Sequence, residues 1–211
     1  VLRSGSDNVF EWSGETYVGD SYAFSNHRGF NFTRGIRPWA IQNYQLSLSG
    51  PTLLPGTTFL MGLRRHTNEG YLFGERKFLP TDRSDMEKKT FRPTGDRSFV
   101  SMTPFSEWSG QFKLSNRSLQ NIQISYQAIG NSITEKRYNH FFRLNPDGAK
   151  TQRSASVAHG FDWTHTLSNV MFYTLSVRQN FFEYSDLMYD DVFDPRYLQA
   201  GEPKSDPNYE V

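Results

Sequence analysis

Connections along this chain alternate in length: short, long, short, long. Segments of period-2 sequence are joined by tight turns at one end and by polar loops of about 20 residues or more at the other, where ordinary connections run about 4–6. In an antiparallel meander, successive connections fall at opposite ends of the sheet. A strict alternation of lengths therefore predicts a sheet with one plain end and one elaborated end. Transmembrane β-barrels have this asymmetry, with short turns on one side of the bilayer and long loops on the other.

Seven segments carry the alternation of side chains expected of a strand with one apolar and one wet face. The first, about residues 8–18, sets Phe10, Trp12 and Val18 against Glu11, Ser13 and Glu15. The second, 41–50, sets Tyr44, Leu46 and Leu48 against Asn43, Gln45, Ser47 and Ser49. The third begins at Thr57 and sets Phe59, Met61 and Leu63 against Leu60, Gly62, Arg64 and His66. The fourth, 107–114, sets Trp108, Phe112 and Leu114 against Ser109, Gln111 and Lys113. The fifth, 121–129, sets Ile122, Ile124, Tyr126 and Ala128 against Gln123, Ser125 and Gln127. The sixth, 154–165, sets Val157, His159, Phe161 and Trp163 against Ser156, Ala158, Gly160 and Asp162. The seventh, 170–184, sets Met171, Tyr173, Leu175 and Val177 against Thr174, Ser176 and Arg178. Pro55-Gly56, Asn116-Arg117-Ser118 and Leu167-Ser168-Asn169 are the expected tight turns. No segment has a helical period.

Composition agrees with a wall between two media. Only 36% of residues are apolar, yet 16% are aromatic, with 18 Phe, 11 Tyr and 4 Trp. That is too aromatic for a disordered chain and too polar overall for a well-packed soluble core. An apolar band, a polar lumen and wet loops account for both numbers. So would a soluble carbohydrate-binding β-sandwich. The net charge is +1, with 23 basic and 22 acidic residues and no basic stripe, so nucleic-acid binding has no electrostatic support. Cysteine is absent, which excludes disulfides and thiolate metal sites. No run of 18 apolar residues offers a transmembrane helix.

Strand length separates the two β readings. These segments run about 9–15 residues; a tilted membrane strand needs about 9–11, while soluble strands average about 5–6. Aromatic residues gather toward strand ends, at Phe10 and Trp12, Trp108, Phe161 and Trp163, and Phe181 and Tyr184, as interfacial girdles do. Two residues sit badly on the apolar face, Arg65 and His159; a one-residue bulge would move either to the other face. The expected fold is thus an all-β, antiparallel up-and-down meander, a partial transmembrane barrel of seven long strands spanning residues 1–211. Seven is odd, and open edges in lipid leave backbone groups unpaired. The sequence is therefore expected to be a piece of a larger barrel.

Tyr17-Val18-Gly19-Asp20, Asn43 through Pro51 and Asn68-Glu69-Gly70-Tyr71-Leu72-Phe73-Gly74 resemble TonB-dependent outer-membrane receptors, in the subgroup with a carboxypeptidase-regulatory-like domain before the plug. Tyr138-Asn139-His140, Leu144 through Gly148 and Asp194-Pro195-Arg196-Tyr197 are similar to the same barrel further along. The resemblance implies a barrel of about 22 strands with a plugged lumen. It implies a place in the outer membrane of a Gram-negative bacterium and energy-dependent uptake of a bulky, scarce nutrient: an iron chelate, a vitamin or a glycan. The implied partners are outer-membrane lipid, the TonB complex acting through a plug, and the ligand. No catalytic residue and no cofactor is implied.

Site chemistry read from the residues themselves is sparse. His159 and His165 lie about 20 Å apart along a strand, with Asp162 on the other face, so they cannot share a metal. Asp186, Asp190, Asp191 and Asp194 lack the spacing of a calcium loop and read as a solvated segment. Glu11 and Glu15 are about 13 Å apart, too far for a glycosidase pair, which needs about 5–9.5 Å. No nucleophile elbow or phosphate-binding loop occurs. Asn31-Phe32-Thr33 and Asn116-Arg117-Ser118 match the glycosylation acceptor pattern, as short chance matches do. An outer-membrane hydrolase would need Ser or Asp beside His at one rim, and no such pair shares a face. The ligand candidates are loop aromatics among Gly and Asn: Trp39, Tyr71, Phe73, Tyr138 and Phe142. Such rings can stack on a sugar or a chelate, and can equally pack loops together.

Overall fold

The computed structural model describes residues 9–20, 37–83, 85 and 87–199. Seven long strands form one antiparallel sheet: β1 (Glu11–Gly19), β2 (Ile41–Pro51), β3 (Thr57–Asn68), β6 (Phe105–Asn116), β7 (Ile122–Glu135), β8 (Thr151–Ser168) and β9 (Met171–Leu187). Each pairs with its neighbour in chain order, so the sheet is an up-and-down meander. It is not closed: β1 pairs only with β2 and β9 only with β8. Two short strands, β4 (Phe73–Glu75) and β5 (Phe99–Ser101), form a hairpin of their own inside the longest connection. Three-residue strands are too short to show a period, which is why sequence reasoning passed over them. Single turns of 3-10 helix at His140–Phe142 and Pro146–Gly148 and one α-helical turn, α1 (Arg196–Gln199), complete the described elements.

The expected alternation of short and long connections holds, but the β7–β8 connection, residues 136–150, is shorter than expected. Residues 52–56, 117–121 and 169–170 make the short turns, all at one end; the β1–β2, β3–β6 and β7–β8 connections lie at the other. Adjacent turns brace each other. Gly56 has φ +59°, and a Cβ there would lie 2.9 Å from the Ser118 amide nitrogen. The Arg117 amide donates to the Gly56 carbonyl at 2.8 Å, and Asn116 Nδ2 donates to Thr57 Oγ1 at 2.5 Å.

Register is continuous across the sheet, with one shift, between Thr166 and Ser168 beside the last turn. No bulge moves Arg65 or His159, and both stay on the apolar face. Two departures from the expected pattern are informative. β7 runs six residues beyond Ile129, to Glu135. The expectation stopped short because Ile129 and Ile133 fall on the mainly polar face, which also carries Leu60, opposite Gln111 and Glu107. Tyr184 also lies on that face, opposite Ser154, whereas Phe181 opposes Val157 on the apolar one. The strand-end aromatics therefore do not all form one girdle.

Among the described residues the buried apolar side chains are Ala40, Phe73, Met102, Pro146, Ala149 and Tyr189, and none lies on the seven long strands. Those strands bury Thr57, Thr58 and Ser115 near the turn end instead. The small core sits under the loops, and no second layer covers the sheet among the described residues. Asn31-Phe32-Thr33 and the tail beyond Gln199 lie outside the described residues.

Candidate functional site

Direct cross-strand partners share a face, so register assigns every side chain in the sheet to one of two surfaces. On the apolar surface one row runs Trp12, Leu48, Met61, Phe112, Ala128 and His159. The row beside it contains Leu46, Leu63, Val157 and Phe181, with Gly14, Gly110 and Gly130 between. These side chains face open space: Trp12 is 77% exposed, Leu46 48% and Phe181 55%. Monomeric soluble proteins rarely leave contiguous apolar patches of this extent facing water.

Toward the loops the apolar surface changes character. Tyr44, Arg65 and Trp108 occupy neighbouring positions on β2, β3 and β6. The Arg65 guanidinium carbon lies 5.0 Å from the Trp108 ring centroid. The same row continues across β7, β8 and β9 as Ser132, Ala155 and Glu183, and the next row toward the loops holds Thr134, Arg153 and Ser185. An amphipathic belt with polar positions beyond it is the pattern of a membrane boundary. His159 lies within the band, its ring stacked on Phe181 at 6.0 Å and tilted against Tyr126 at 6.0 Å. The stacked Phe181 ring shields one imidazole face, which lowers the cost of its position.

The other surface is knit by polar contacts. Ser13 and Ser47 hydroxyls meet at 2.7 Å, Arg64 Nε donates to Asn43 Oδ1 at 2.6 Å, and Ser156 Oγ donates to Asn131 Oδ1 at 2.5 Å. Asp162 accepts from Ser176 Oγ and from Arg178 Nη2, both at 2.6 Å. The Arg178 side chain lies across Gly160, where a Cβ would sit 2.4 Å from Arg178 Cδ.

Above the loop end, two long connections are joined. The Glu75 amide donates to the Arg143 carbonyl at 2.8 Å and the Phe78 amide to Leu144 at 2.9 Å. Arg76 contacts Asp147, Asp96 and Ser98. Its hydrogen bond to Asp147 raises the guanidinium pKa further above its ordinary value. Burial pushes the nearby Lys136 ammonium below the usual lysine range; Asp147 opposes this, while Arg76 and Arg153 reinforce it.

The five aromatic candidates take different positions. Trp39 and Tyr71 are exposed, at 61% and 55%. Phe73 is buried in β4 with the Arg37 guanidinium 4.9 Å from its ring centroid, so it packs the loop cap. Tyr138 is half-buried, with its hydroxyl 2.8 Å from His140 Nδ1. Phe142 is half-buried and packs under Gly148. Hydrogen bonds tie the Phe73 and Phe142 segments together through Arg143 and Leu144; the five rings do not form one platform. Phe141, which sequence reasoning missed, is the exposed ring of its turn at 83%. The acidic residues near the end of β9 disperse to separate partners: Asp190 to Arg153 and Asp194 to Arg196. Among the described residues no three His, Asp or Glu converge on a point that could hold a metal.

No protein-family model, no curated protein and no solved structure matches this chain. No described helix is long and apolar enough to cross a membrane, which leaves open crossing by strands. The functional reading rests on the two surfaces and the loop cap.

Proposed function

We propose that this chain is a section of the wall of an outer-membrane β-barrel receptor that takes up a bulky nutrient, of the TonB-dependent kind. The single observation that supports this most is the uncovered apolar surface. Seven strands of 9–18 residues present Leu, Ile, Val, Met and aromatic side chains on one face, with no protein layer against them among the described residues. Lipid is the environment in which that face is stable and its polar counterpart lines water. The open edges at β1 and β9 support the same reading, because a sheet in hydrocarbon must continue to closure.

On this reading the wall binds and conducts a ligand without transforming it. Its location is the outer membrane of a Gram-negative bacterium, and its partners are lipid and, through a plug, the TonB complex. A soluble glycan-binding sandwich would pair this apolar face with a second sheet, and the hairpin β4–β5 is too small for that. The deciding experiment is fractionation of the intact protein. Recovery in detergent-extracted outer membranes, with gel mobility that changes on boiling, supports the proposal; full solubility in plain buffer overturns it.

A further inference from the structure

The apolar surface turns polar at one spot inside its band. One row of that surface begins Trp12, Leu48, Met61, Phe112 and Ala128, then ends in His159 on β8 and Gln179 on β9. These last two are direct cross-strand partners. The positions on either side of them stay apolar: Val157 opposes Phe181 toward the loops, and Phe161 opposes Val177 toward the turns. All four of those side chains are between 37% and 58% exposed. A polar pair is thus ringed by apolar side chains that no described residue covers.

Hydrogen-bonding capacity at this spot is unused. The His159 ring stacks on Phe181 at 6.0 Å, but stacking covers a face of the ring, while its nitrogens lie in the edge. Neither the His159 ring nor the exposed Gln179 amide makes a hydrogen bond to another described residue. No slip of register turns the pair inward, since the one shift, between Thr166 and Ser168, lies beside the last turn. An unpartnered amide and imidazole are costly in hydrocarbon, and polar residues at membrane depth accordingly face protein or water. Inside an apolar band there is no water to serve them, so protein is the covering that fits.

Depth decides which protein. A two-fold axis along the membrane normal keeps each residue at its own level, so a second copy brings its His159 and Gln179 to the level of the first. A glutamine amide donates and accepts, and so does a neutral imidazole, so the pair is complementary to itself. An unrelated partner would need a polar group of its own at that level; a second copy supplies one by symmetry. Strand tilt of about 35–45° carries the exposed Glu183, further along β9, away from such an axis, so like charges are not forced together.

We infer that the outward face of β8 and β9 is a contact between two copies of this protein within the membrane. His159 and Gln179 hydrogen-bond across it, and Val157, Phe161, Val177 and Phe181 pack around them. This goes beyond the receptor reading and rests on its bilayer part.

The test uses the intact protein in native outer membranes. This sequence contains no cysteine, so Gln179→Cys places a thiol at the proposed contact. A short, membrane-permeant bismaleimide should join two copies of that variant. It should leave monomeric both the parent and Leu48→Cys, which lies on the same face on β2. In mild detergent, His159→Leu and Gln179→Leu should each weaken the dimer by about three- to tenfold in sedimentation, the size of one hydrogen bond between membrane-embedded side chains. Both should keep the boiling-dependent gel shift, which separates loss of the contact from loss of the barrel. Absence of a Gln179→Cys cross-link overturns the inference, whether lipid or another strand of the same barrel meets the amide. So does a Leu48→Cys cross-link of equal yield, or a dimer indifferent to both leucine variants. A protein that dissolves in plain buffer defeats the bilayer reading; one that inserts and shifts normally without the cross-link defeats this inference alone.

Discussion

Arg76 grips Asp147 across 71 residues of sequence, with Nε 2.6 Å from Oδ2 and Nη2 3.2 Å from Oδ1. The pair is two-pronged and less than a third exposed on either side. It ties the β3–β6 connection to the β7–β8 connection, where backbone hydrogen bonds from Glu75 and Phe78 run alongside it. Two loops that could move separately are thereby made one body.

Removing that grip should loosen the cap and spare the sheet. Arg76→Ala is expected to cost the local structure about 1.5–3 kcal/mol, the range for hydrogen bonds to charged groups. Amide exchange at Glu75, Lys77 and Phe78 should accelerate about tenfold or more, while exchange in β8 and β9 stays unchanged. Arg76→Lys should recover little of the loss, because an ammonium cannot reproduce the planar fork.

Gly95 offers an independent probe of the same cap. A Cβ there would lie 2.1 Å from the Arg76 carbonyl oxygen and 2.7 Å from the Lys77 carbonyl carbon, both backbone atoms with nowhere to go. Gly95→Ala should therefore separate the strand of loop around Arg76 from that around Ser98, at a cost of about 1–3 kcal/mol. Limited proteolysis should then cut between residues 76 and 98 in the variant and leave the parent intact.

Acid should open the neighbouring turn through Asp82. Burial pushes its carboxyl up, but the Thr94 hydroxyl and the Leu79 and Thr94 amides outweigh that and hold it below the usual carboxylate range. A carboxyl depressed in the folded state contributes stability that is fully present above its unfolded value, 3.8. That contribution is lost as pH falls through the lower folded value. Exchange at the Leu79 and Thr94 amides should therefore rise as pH is lowered below about 3.8, beyond the change in intrinsic rate. Asp82→Asn should remove this pH dependence.

The sheet was legible because its physics is local. Alternation at Tyr44 through Ser49 or Met171 through Arg178 states which side is which, and Pro55-Gly56 and Asn116 through Ser118 state where the chain turns. The pattern failed at Ile129, where β7 continues but the polar face begins to carry apolar residues. The Arg76–Asp147 tie was not legible, since nothing near either residue names a partner so distant in sequence. Phe73 shows the same limit: an aromatic among glycines reads as a ligand platform until packing shows it buried under Arg37.

The membrane reading makes its sharpest prediction at two adjacent residues of β2. Leu48 lies in the middle apolar row beside Trp12 and Met61; Ser49 lies on the polar face beside Glu11 and Leu60. If lipid covers the first face and water the second, Leu48→Arg should destabilise the intact protein in bilayers by about 2–4 kcal/mol. Ser49→Arg should stay within about 0.5 kcal/mol, its guanidinium wet and close to an acid. Unfolding by urea in lipid vesicles, followed by the boiling-dependent gel shift, measures both. A soluble sheet with a water-facing Leu48 would tolerate both substitutions alike. Equal tolerance would thus remove the bilayer from the account, while a large, one-sided penalty at Leu48 is what a lipid-covered face requires in a sheet whose apolar side no other described residue covers.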